Sequence, residues 1–225
     1  MKHLIAAAAM LLAAPAFAAP VTLESDPAHS TAGFAVKHMM FTTVRGTFNK
    51  FTSSLVWDDA DPTKSTVSAK IDAASIDTHQ EARDNHLRSP EFFDVKKCPD
   101  LTFKSNKVEK SSGDAYNVTG DLTMHCVTKP VTLEVHTDGK PHVTPFGSTI
   151  YTVGATTKLK RSDFGLTWNK AVEGGGVIVS DEVDLELSLE YAAPKAVATE
   201  AKGEGKDAAK HGGKKHADKP AAEAK

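Results

Sequence analysis

An all-β chain with one short helix, closed as an antiparallel barrel of about eight strands, is the fold this sequence predicts. Three observations carry it. Several segments alternate apolar and polar residues with period two, as strands with one buried face do. Turn-forming clusters at Ser112-Gly113-Asp114, Asp138-Gly139 and Gly174-Gly175-Gly176 separate them. A single stretch, Thr78 to Ser89, has helical character instead. Many short strands with polar outer faces read as a sandwich or barrel. About eight strands enclose room for one small ligand.

The first element lies in residues 26–51, D-P-A-H-S-T-A-G-F-A-V-K-H-M-M-F-T-T-V-R-G-T-F-N-K-F, read as strand, turn and strand. Phe34, Val36, His38 and Met40 share one face, and Gly46 and Phe48 begin the next strand. Gly46 among β-formers predicts a bulge or bend that curls the sheet. Val67, Ala69 and Ile71 form a third apolar face. A helix of roughly 8–10 residues, near residues 79–88, then interrupts the strands. Thr78 and Glu81 make a T-x-x-E capping box at its start, and Pro90 ends it. Phe92 and Phe93 follow; they either plug one end of the barrel or line its mouth.

Leu101 and Phe103 open the second half. Tyr116, Val118, Gly120, Leu122 and Met124 make a longer alternating set, followed by Val131, Leu133 and Val135. Tyr151, Val153, Ala155, Thr157 and Leu159 make another. Val183, Leu185, Leu187, Leu189 and Tyr191 close the domain, with Asp184, Glu186, Ser188 and Glu190 on the opposite face. By this parity the lumen candidates are Phe34, Val36, Met40, Phe103, Leu122, Met124, Val153, Leu185 and Leu187. An error of one residue would exchange a strand's whole inward set. The same alternation also suits a solid core, so an open lumen and a filled one both satisfy it.

Cys98 and Cys126 are the two cysteines. A hairpin turning near residue 112 sets them opposite one another, where cross-strand Cβ atoms lie about 4.5–5.5 Å apart. A structural disulfide is expected; the alternative is two buried thiols. The absence of C-x-x-C speaks against redox catalysis.

The termini differ from this pattern. Lys2 and His3 precede an apolar run from Leu4 to Ala14, and Ala16-Phe17-Ala18 is an A-x-A cleavage signal. The expectation is a cleaved signal peptide over residues 1–18, a domain over 19–191 in the periplasm, and no membrane anchor. Residues 192–225 hold eight Lys against five Asp and Glu, with no apolar residue larger than Val. Such a segment buries too little surface to offset the entropy of ordering. With +3 in this tail and +1 in the leader, the −2 of the whole chain leaves −6 on the middle segment. The tail is read as a solvated extension, or as a contact for an anionic envelope surface at about 1 kcal/mol per Lys.

Catalytic motifs are missing. There is no H-E-x-x-H or cysteine-flanked metal pattern, no G-x-S-x-G and no phosphate-binding G-x-x-x-x-G-K-[ST]. No cofactor, metal or nucleic-acid partner is expected. His38, flanked by apolar residues, is either a hydrogen-bond donor to a ligand head group or a satisfied core histidine.

Seven segments in order resemble the YceI-like family across nearly all of residues 21–191. They are D-P-A-H-S with F-A-V-K-H-M-M; V-R-G-T-F-N-K-F; I-D-A-A-S-I-D-T; R-D-N-H-L-R-S-P-E-F-F-D; P-D-L-T-F-K-S; G-D-L-T-M-H-C-V-T-K-P-V-T-L; and R-S-D-F-G at Arg161 to Gly165. The resemblance implies a lipocalin-like barrel in the bacterial periplasm, often a dimer, whose lumen holds a polyisoprenoid or another long-chain lipid. Phe92, Phe93 and His38 then join the lumen candidates. Arg161, Arg45 and His38 are the candidates for a charged head group, with a rim salt bridge to Asp163 or a neighbouring loop carboxylate as the structural alternative for Arg161. Cys126 stands where the family commonly has glycine, and Cys98 where it commonly has an aromatic residue. Two other functions compete: a filled-barrel envelope scaffold acting through its tail, and a lipid-modifying hydrolase using His38.

Overall fold

A computed structural model describes residues 20–173 and 175–193. The expected signal peptide and the basic tail lie outside the described residues. The chain folds as a closed, eight-staved antiparallel barrel. Three staves are pairs of strands in line: β1 (Val21–Ser25) with β2 (Thr31–His38), β3 (Thr42–Phe48) with β4 (Phe51–Trp57), and β5 (Thr66–Asp72) with β6 (Ile76–Asp77). The other five are β7 (Asp100–Lys110), β8 (Ala115–Met124), β9 (Val127–His136), β11 (Thr149–Lys160) and β12 (Val179–Ala192); β10 (His142–Val143) adds a short edge beside β11. Each stave pairs with its neighbours in sequence. β12 closes the ring by pairing with β11 on one side and with β1 and β2 on the other.

Curvature comes from two devices. Register slips between Ser105 and Lys107 on β7 and between Val179 and Val183 on β12. The first changes inward parity from Phe103 to Val108 along one strand. The second device is glycine beneath an aromatic ring. Gly46 is no bulge, since it pairs in regular register with Phe34. A Cβ there would collide with the Phe34 ring, and one at Gly120 would lie 2.6 Å from the Phe103 ring. The two rings thus approach bare backbone closely, which a side chain at either glycine would prevent.

The helix α1 (Glu81–Arg88) lies where expected but is capped differently. Gln80 accepts from the Arg83 N–H, and no Thr78–Glu81 box forms. The buried Asp84 carboxylate instead accepts from the backbone N–H and hydroxyl of Thr78. Arg88 donates to the carbonyls of Ala74 and Ile76, so α1 is clamped to β6. Cys98 and Cys126 are disulfide-bonded with Cα atoms 5.4 Å apart. The bond joins the start of β7 to the two-residue turn between β8 and β9. Both turn residues, His125 and Cys126, have positive φ, the conformation that suits glycine. Among the described residues no helix is long and apolar enough to cross a membrane.

Candidate functional site

The inward faces of the strands enclose a lumen that runs from α1 to the opposite rim. Its cavity volume is about 250 Å³, far above the roughly 10–15 Å³ that admits one water. Residue exposure agrees. Val67, Ala69, Phe103, Val183, Leu185 and Leu187 all point inward yet are only half-buried. A filled core would bury them completely.

Three layers make the wall. At the helix end, Phe93 meets Phe48 edge-on at 5.8 Å, and Phe48 lies 5.8 Å from Phe34. Behind them His86 stands edge-on to Phe92 and to Trp168, 4.9 Å from each. The middle belongs to aliphatic side chains of β5, β8, β11 and β12. At the far end Trp57 and Tyr151 pack 6.2 Å apart, beside Tyr191, which is 1% exposed. The Tyr191 hydroxyl lies 2.7 Å from Ser53 Oγ. Burial pushes its pKa up to about 12, against the opposing hydrogen bond from Ser53.

Among the described wall residues Arg161 is the one with a charge. It follows β11 in a 3₁₀ turn, Arg161–Phe164, and is buried. Its guanidinium donates to the carbonyls of Ser180 at 3.0 Å, Leu166, and Val179 at 3.5 Å. Burial draws its pKa below the ordinary value, and Asp181 pulls the other way. Three of its five N–H groups are committed to those carbonyls. The anticipated salt bridge to Asp163 is replaced by these backbone contacts.

Phe34, Val36, Phe92, Phe93, Phe103, Leu122, Met124, Val153, Leu185 and Leu187 all lie on the lumen wall. Three of the candidates do not. His38 and Met40 sit past the rim, where β2 turns into β3, and are exposed. Met39 and Met40 have positive φ, and the β12 register slip falls beside them. His38 ends β2, still paired with Thr42 and Val179 but beyond the register slip, and Met40 lies in the turn after it. Arg45 is on the outer face, paired with Glu186 at 2.9 Å.

Sequence reading missed Ser53, Leu55 and Trp57, the inward set of β4, although their spacing is also two. A serine in that set masks the pattern. Leu166 follows Gly165, whose φ is 78°, and nothing local marks it as wall.

The model of the YceI-like domain matches residues 23–191. The chain belongs to the YceI-like family. Among its relatives, a UPF0312 protein of Pseudomonas putida strain F1 is 36% identical over 182 residues, 81% of this chain and 91% of that one. A UPF0312 protein of Yersinia pestis strain Pestoides F is 37% identical over 183 residues, with 81% and 91% covered. Burkholderia cenocepacia BcnA superposes with a TM-score of 0.65 at 28% identity, covering 74% of this chain and 98% of that structure. A polyisoprenoid binding domain from Saccharophagus degradans shares the fold, with a TM-score of 0.58 at 15% identity over 76% of this chain and 98% of that one.

Proposed function

We propose that this YceI-like barrel is a non-catalytic periplasmic carrier that holds one long-chain lipid, a polyisoprenoid, in its lumen. The observation that carries the reading is an open, almost wholly apolar cavity running the length of the barrel. Each methylene moved from water into such a wall gains about 0.8 kcal/mol, so a long chain binds without specific contacts. The ordering of the chain opposes that gain and limits affinity. A polyisoprenoid binding domain with this fold supports the ligand class. The two unengaged N–H groups of Arg161 would take an anionic or strongly polar head group at the helix end. The tail would then run toward Trp57. Phe34, Phe103, Leu122, Val153, Leu185 and Leu187 are the side chains expected to touch it.

The test is mass spectrometry of an organic extract of the mature protein purified from its own periplasm. The control is a Val153→Trp/Leu187→Trp variant that fills the lumen, with folding verified by circular dichroism. About one prenyl or acyl lipid per wild-type chain, lost from the filled variant, is the expected result. A wild type that carries none and takes up none on challenge overturns the carrier function. Arg161→Lys, which retains charge but not the planar fork, is expected to weaken binding of a prenyl phosphate more than of the matching prenyl alcohol.

A further inference from the structure

Outside the lumen, the bend joining β1 to β2 places three metal-ligating side chains together against β12. Asp26, His29 and Glu190 offer one donor atom each, all within 4.8 Å of one another. His29 Nδ1 lies 3.0 Å from Asp26 Oδ2 and 3.8 Å from Glu190 Oε1. A tetrahedral zinc ion with bonds of about 2.0–2.1 Å holds its donors about 3.3 Å apart. The two distances bracket that figure, and the Asp26 and Glu190 oxygens, within 4.8 Å of one another, would close to it by side-chain rotation.

The backbone around these donors is already fixed. The Asp26 N–H donates to the Glu190 carbonyl at 2.8 Å, and the Glu190 N–H donates to Ser30 Oγ at 3.0 Å. Asp26 Oδ1 is occupied by the Ala28 N–H, which turns Oδ2 toward His29. Preorganisation of this kind lowers the entropy lost on binding. His29 and Glu190 also line an outer crevice whose other walls include His136, His142, Asp114 and Asp138. Three imidazoles therefore border one crevice of strongly acidic character. Two carboxylates and one imidazole carry a formal charge of −2, which matches a dication. Imidazole favours zinc and its transition-metal neighbours over calcium, which takes six to eight oxygens. Asp26 and His29 are some 160 residues from Glu190 in sequence, which is why no local motif announces them.

We propose that Asp26, His29 and Glu190 form a surface site for a zinc-like divalent cation, with solvent in the remaining position. The test is calorimetric titration of the metal-stripped mature chain with Zn²⁺, alongside Co²⁺ absorption as a report of tetrahedral nitrogen and oxygen ligation. One equivalent is expected to bind, with at least tenfold loss in His29→Gln and in Glu190→Gln. Little change is expected in a His136→Gln/His142→Gln variant or in a His211→Gln/His216→Gln variant of the tail. Five of the six substitutions fall on exposed or tail positions and Glu190 is partly buried; circular dichroism verifies the fold of each variant. Saturable binding weaker than about 100 µM, or binding lost only with the crevice pair or the tail pair, overturns the assignment.

Discussion

Gly120 shows how much one hydrogen atom in place of a methyl group decides. A Cβ at this position would meet the Lys104 carbonyl oxygen at 2.5 Å as well as the Phe103 ring. Backbone cannot swing aside as a flexible side chain can. Gly120→Ala is expected to destabilise the protein by about 2–3 kcal/mol in urea unfolding. Gly154→Ala, where the nearest atom is the His136 carbonyl oxygen at 4.0 Å, is expected to be close to neutral. Tyr191 makes a second prediction at this scale. Its pKa rises from 10.0 to about 12 in the fold. The folded state therefore holds its proton where the unfolded state has released it. The resulting stability is complete below pH 10 and is lost as pH rises from 10 to about 12, by roughly 2–3 kcal/mol. Stability curves against pH should lose that slope in Tyr191→Phe. A mutant with the same alkaline slope as wild type would contradict the assignment.

At the scale of elements, the alternation of apolar residues was enough to locate β5, β8, β9, β11 and β12, because each turns one mainly apolar face toward the lumen. It could not reveal the parity change on β7, where one extra residue, Asn106, is inserted between the Ser105–Gly120 and Lys107–Thr119 pairs among residues that suit a regular strand equally well. It misjudged His38 and Met40 for a different reason: their alternation continues past the β12 register slip onto the exposed rim and into the turn, where an inward direction no longer means a buried one. The helix was legible as a helix, but its capping partner was not. Choosing between Glu81 and Asp84 depends on how α1 leans against β6, and the Arg88 contacts with Ala74 and Ile76 set that angle. The disulfide was legible because a hairpin of known turn position fixes which residues face one another. It closes a sequence separation of 28 residues. In the chain-entropy model, removing it should cost about 3–4 kcal/mol. A Cys98→Ser/Cys126→Ser variant should therefore melt at lower temperature and match the reduced wild type. A fall in stability under about 1 kcal/mol would mean that the unfolded chain is already constrained there.

Across the whole molecule, the barrel was legible in the sequence while its hollowness was not. Period two reports which way a side chain points, not how far it is from the side chain facing it. Openness depends on the circumference of eight staves and on where the large aromatics sit. Phe34 and Phe103 sit close over Gly46 and Gly120, where no side chain competes for the space, while Phe92, Phe93, Trp57 and Tyr151 gather at the two ends. The Asp26–His29–Glu190 cluster was invisible for a related reason, since it exists only when the first and last staves meet. That meeting has a consequence for the order of events in the cell. β12 is the last stave to leave the ribosome, and its partners include Thr31, which pairs with Ser188. Until β12 is complete, the other seven staves form an open sheet with two unsatisfied edges. Contacts of such long sequence range are also slow to form. The chain should thus remain unfolded throughout synthesis and reach its native state only after the whole of it has been released. A chain ending at Ile178 should stay protease-sensitive and should recover resistance when a peptide of residues 179–193 is supplied.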